Sequence, residues 1–135
     1  MSNIETIVPL DGYLEITYGG NVKRGFPEMH RIAQQILAAC EKHQCWHILE
    51  NYTDVDYEHG SDILAEHRLA EMLTQPEFAA IEWALLLPKS SHNTETHLEN
   101  AAQNRGVRLR TFLNRHEAIK WLINDSRIPN TRPAG

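Results

Sequence analysis

Eight residues near the middle of the chain, Ala80–Leu87, constrain the fold more than any other stretch. Read as a strand, Ile81, Trp83, Leu85 and Leu87 point one way while Ala84 and Leu86 point the other. Apolar side chains on both faces need cover on both faces. Such a strand belongs inside a sheet packed between helices, and Pro88 stops it because proline cannot donate to the ladder. The rest of the chain must supply neighbouring strands and covering helices.

It supplies them in alternation. Ile4–Leu10 and Tyr13–Tyr18 flank Asp11-Gly12, a pair that favours a two-residue hairpin of type I′. Pro27 suits a first helical turn, and Met29, Ile32, Ala33, Ile36, Leu37 and Cys40 recur at helical spacing to about His43. Cys45–Leu49 reads as a second buried strand. A helix over about 62–74 follows, with Ile63, Leu64, Leu69, Met72 and Leu73 as apolar contributors and Gln75-Pro76 as its end. After Ala80–Leu87 would come a helix over Thr94–Arg105, closed by Gly106 at the C′ position, and a last strand, Val107–Leu113. Asn114 caps the final helix, Arg115–Ile123, with Glu117 three residues on. Trp83 and Trp121 read as core. The order ββαβαβαβα implies an α/β domain with a mixed, mostly parallel sheet, an N-terminal β-hairpin and covering helices. Residues 1–125 form this single domain, and 126–135 a flexible tail.

A chain of 135 residues can bury roughly two-thirds of its unfolded surface, so its core needs no staples. Cys40 and Cys45 form no CxxC pair and read as reduced, buried thiols. The net charge of −5 argues against a nucleic-acid partner, which wants a basic footprint. No run approaches the roughly 18 apolar residues of a membrane span. The N-terminal MSNIETIVPL lacks a basic, then apolar, leader, so the expected location is cytoplasmic.

The chemistry-bearing residues gather after the second buried strand. Glu50, Asp54, Asp56, Glu58 and Asp62 stand together without an intervening Lys or Arg, and read as an exposed acidic loop. A calcium loop counted from Asp54 would need Gly at its sixth position and Glu at its twelfth; His59 and Ala65 stand there, which excludes it, and a different divalent site on Asp54, Asp56 and His59 ranks below a solvated acidic loop, so no metal is expected. Ser61 is placed to cap the following helix, either as a cap alone or as a cap and regulatory phosphorylation site. Lys89 and His92 follow the inner strand, and Asn114 the last one. In a parallel sheet these strand ends share one edge with Asp54, Asp56 and His59, and that edge is the candidate binding surface. His47, within a strand, reads as a core residue. No GxSxG or HExxH arrangement is present, so no catalytic constellation and no cofactor are expected.

The final third runs from Gly106-Val107 through Phe112 to Glu117-Ala118-Ile119-Lys120-Trp121-Leu122. This glycine-led strand ending in phenylalanine, followed by a helix with an "EA..WL" run, resembles the C-terminal signature of STAS-like proteins of the SpoIIAA-like group. The order of elements extends the resemblance over roughly residues 3–124. It implies a non-enzymatic domain that switches between protein partners or holds a small or apolar ligand, with peripheral membrane contact among the group's suggested roles. Relatives carry a phosphorylatable serine in a "DSSG" run where the helix after the central strand begins. Ser61 is the nearest match by position, in the different run His59-Gly60-Ser61-Asp62. The alternative reading is a carrier gated by the second helix.

Overall fold

The computed structural model describes residues 4–21, 26–56, 70–88 and 96–124. Strands β1 (Ile4–Leu10) and β2 (Tyr13–Tyr18) pair antiparallel with Leu10 opposite Tyr13, so Asp11 and Gly12 make the link. Gly12 has φ +92° and Asp11 stays at negative φ, which excludes the expected type I′ turn; a type II turn places its single positive φ there.

Helix α1 (Phe26–His43) ends on Gln44, at φ +51°. The Cys45 N–H donates to the Cys40 carbonyl at 3.1 Å, the six-to-one bond of a Schellman motif, with Gln44 in glycine's usual place. The Gln44 side-chain Nε2 donates to the Glu41 carbonyl at 2.7 Å. This cap draws Cys45 out of the sheet, so strand β4 covers His47–Asn51 and not Cys45–Leu49. Two short strands, β3 (Gly20–Asn21) and β5 (Val55–Asp56), pair parallel in a separate ribbon that the residue pattern did not announce.

Residues 70–72 are helical, and Ala70, Met72 and Leu73 are buried; the remainder of the helix expected over 62–74 lies outside the described residues. Gln75 is extended, as a residue before proline prefers, and a 3-10 turn follows at Pro76–Phe78. Strand β6 (Glu82–Leu86) leads on to helix α2 (Thr96–Asn104). Gly106, at φ +81°, closes α2 with both Schellman bonds: Val107 N–H to Ala102 O at 2.9 Å and Gly106 N–H to Gln103 O at 3.0 Å. Strand β7 (Leu109–Phe112) and helix α3 (Arg115–Asn124) complete the chain.

The main sheet has the order β1-β2-β4-β6-β7, antiparallel at β1/β2 and parallel elsewhere. Strand β6 lies inside it with all five residues buried, as its apolar faces require. One face carries the large core, in which Leu14, Ile16, Ile48, Trp83 and Leu85 meet Ile36 of α1 and Ala102 of α2. On the other face α3 packs across β4, β6 and β7. Ala84 and Ala118, both fully buried, belong to the cluster there, and small residues let helix and sheet approach closely. Trp121, expected in the core, is half-buried: it stands on the flank of α3 with its ring 5.8 Å from that of Phe112.

Candidate functional site

Parallel strands β2, β4, β6 and β7 all end at one edge of the sheet, and the chain turns there into its connecting segments. Asn51 closes β4. Its side-chain oxygen accepts from the Thr53 N–H at 3.0 Å and the Thr53 hydroxyl at 2.7 Å, which folds the chain into a tight polar turn. Its side-chain amide donates to Glu15 Oε2 of β2 at 3.0 Å.

Glu15 is 9% exposed and receives a two-pronged hydrogen bond from Arg115, the first residue of α3. Arg115 Nη1 reaches Oε2 at 2.8 Å, and Nη2 reaches Oε1. The Arg115 hydrogen bonds, helped by Asn51, hold the Glu15 carboxyl below its usual pKa against the opposing effect of burial. The same contact raises the pKa of the Arg115 guanidinium. A fork-shaped donor matching a planar carboxylate fixes orientation as well as distance. The start of α3 is therefore pinned to the second strand of the sheet.

On the opposite face of the same edge, Glu50 is 6% exposed and accepts from the Tyr18 hydroxyl at 2.6 Å and the Tyr52 hydroxyl at 3.0 Å. The two tyrosine rings stack with centroids 4.4 Å apart. Glu50 was expected in an exposed acidic loop. It lies on β4 at an inward position, where two phenols supply the donors that a buried carboxylate requires. Alternation from Ile48 was the signal that could have placed it.

Among the residues expected at this edge, Asp54 sits exposed in the turn after β4, and Asp56 lies in β5 opposite Asn21. Asn114 caps α3, its side-chain oxygen accepting the Glu117 N–H at 3.0 Å. Strand β6 separates β4 from β7, so Asp54 and Asn114 occupy one edge without adjoining strands. His59, Ser61, Lys89 and His92 lie outside the described residues. Among the described residues no group of three His, Cys, Asp or Glu could hold a metal ion.

The two thiols are buried at the opposite end of the molecule's large core. Burial pushes Cys40 up to about 12 and also raises Cys45, so both are protonated at neutral pH and are poor nucleophiles. His47 is buried, as expected for a core residue.

A five-stranded mixed sheet opened by an antiparallel hairpin, with helices on both faces, defines this chain as an α/β domain of SpoIIAA-like fold. Two solved structures share the architecture. One is an uncharacterised protein of the DUF3478 family from Shewanella loihica PV-4, described as having a SpoIIAA-like fold; it is 16% identical, with 87% of this chain and 90% of that one covered, at a TM-score of 0.50. The other is the anti-sigma factor antagonist SpoIIAA in its unphosphorylated form, 14% identical, with 88% of this chain and 97% of that one covered, also at 0.50. At these identities the likeness establishes the fold, and it agrees with the fold implied by the Gly106–Leu122 pattern. No family model and no curated protein matches the chain.

Proposed function

We propose that this chain is a non-enzymatic regulatory domain that engages a partner protein at the edge where its parallel strands end. The observation that carries the reading is the part-buried Glu15–Arg115–Asn51 cluster, which holds the turn after β4 and the start of α3 in fixed relation. A fixed edge loses little conformational entropy when a partner docks. It presents exposed Thr53 and Asp54 after β4, and exposed Asn114 and Leu113, the latter 47% exposed, after β7. Asp56, His59, Lys89 and His92 belong to this proposed surface by chain direction, and Ser61 is its proposed regulated position.

The likeness to SpoIIAA supports partner binding as the kind of work such a fold does, since that protein is described as an antagonist of an anti-sigma factor and as having an unphosphorylated form. A carrier gated by the second helix is less well supported, because Met72 and Leu73, at the described end of that helix, are committed to the main core. No helix among the described residues is long and apolar enough to cross a membrane.

The test is affinity capture from a native lysate with wild type, Asp54→Lys, Ser61→Ala and Ser61→Asp, at low and high salt. The reading expects a discrete partner whose recovery falls with Asp54→Lys and with salt, and differs between the two Ser61 variants. Equal recovery by all four proteins would refute the edge, and a salt-independent retained lipid would favour the carrier.

A further inference from the structure

The large apolar side chains exposed among the described residues are Val8, Leu10, Leu113 and Ile123. All but Leu113 gather on one flank of α3. Leu10 lies opposite Tyr13 across the β1–β2 ladder, and Tyr13 packs in the core beneath α3, so Leu10 points to the face that carries this helix. Val8 lies opposite Glu15, whose carboxylate reaches Arg115 of α3, and so points the same way. The helix packs across β4, β6 and β7, which leaves these β1 side chains beyond its edge. Ile123 closes the patch, since a Cβ built on Gly12, in the turn after Leu10, would stand 3.7 Å from its Cγ1. An open groove of about 270 Å³ runs along the same flank, lined by His116, Ile119, Lys120 and Ile123.

Contiguous exposed apolar surface of this kind marks an interaction site. The outer edge of β1 is ill suited to strand addition. Leu10 and Tyr13 flank a two-residue turn and form a hydrogen-bonded pair, so Pro9–Leu14 is the next, non-hydrogen-bonded one. The missing N–H of Pro9 therefore falls on the free edge, where an added strand would need it. Docking must use the face. The charges around that face then specify the occupant. Asp11 stands exposed in the turn beside Ile123, while exposed Lys120 and His116 lie about one and two turns earlier on the helix. None of the three has an ion-pair partner among the described residues. A patch that is acidic at one end, basic towards the other and apolar between carries its own counter-charges, and so fits a copy of itself.

We propose that the chain pairs with a second copy through this patch, about a two-fold axis that sets α3 antiparallel to its counterpart. The axis places His116 across from Ile123 of the second copy and brings that copy's Asp11 toward His116 and Lys120. Val8 and Leu10 meet their counterparts in reverse order. Such self-complementary contacts are the commonest form of soluble assembly. This pairing does not depend on the proposed partner edge.

Sedimentation of the full chain over about 1–300 μM tests it, and a reversible monomer–dimer equilibrium is expected. Ile123→Glu and Leu10→Lys, both at exposed positions, should each weaken the dimer at least about a hundredfold while urea unfolding of the monomer stays near wild type. Asp11→Lys and Lys120→Glu read the same interface without touching its apolar packing. Each should weaken the dimer about tenfold, and the two together should recover most of the loss, because the exchanged charges again meet across the axis. A chain that stays monomeric throughout would overturn the proposal. So would a dimer unaffected by Ile123→Glu and Leu10→Lys, or charge variants whose losses simply add.

Discussion

Replacing Arg115 with methionine removes the guanidinium while keeping a long apolar stem. Glu15 would then be a nearly buried carboxylate with one remaining donor, Asn51. Hydrogen bonds to a charged group contribute about 1.5–3 kcal/mol, and breaking a fully buried ion pair costs about 3–5 kcal/mol. The Arg115 side chain is 46% exposed, so water recovers part of that loss. The substitution also relieves a cation at a helix N-terminus, a gain of about 0.3–1 kcal/mol. The expected net loss is about 2 kcal/mol at pH 7, read by urea unfolding. Because the Glu15 pKa is lowered on folding, its stabilisation is fully present above the unfolded carboxylate value of about 4.3 and is lost as pH falls through the lower folded value. The gap between wild type and Arg115→Met should therefore close below about pH 4, and Glu15→Gln should remove most of the effect of Arg115→Met in a double-mutant cycle. A gap below about 0.5 kcal/mol at pH 7, or one that persists unchanged at pH 3, would refute the clamp.

Gly106→Ala should cost about 1 kcal/mol by thermal or urea unfolding; the added Cβ meets nothing within 4 Å, so the loss reports the left-handed backbone itself. Gln44→Gly, at the equivalent position of α1, should stabilise by about 0.5 kcal/mol, since relief of the positive φ exceeds the loss of the exposed bond to Glu41. Cys40 and Cys45 should resist thiol reagents in the folded protein and react promptly in denaturant, burial having raised both pKa values. Fast native labelling of both would contradict their burial.

Local patterns were legible in the letters. The two-sided apolar run placed β6 inside the sheet, Gly106 marked the end of α2, and Asn114 marked the start of α3. Each is decided within a few residues by backbone geometry or periodicity. What stayed hidden depends on pairing across the chain. Glu15 and Arg115 are 100 residues apart, and neither has a local signature beyond being charged. Glu50 looked like loop because its neighbours are acidic; the tyrosines that make its burial tolerable come from β2 and from the residue after β4. The β3–β5 ribbon joins two pairs of residues too short to show any period. Trp121 was read inward from helical spacing, which gives a face but not how much of that face the sheet covers.

The edge assignment meets its most direct test in site-specific photo-crosslinking in the native cell. A benzophenone side chain would be placed at Asp54, in the exposed turn after β4, and in a separate protein at Glu77, in the exposed 3-10 turn before β6 at the other end of the sheet. The account predicts a discrete heavier protein adduct from position 54 and none from position 77. An adduct at position 77 with none at position 54, or no protein adduct at either, would contradict it.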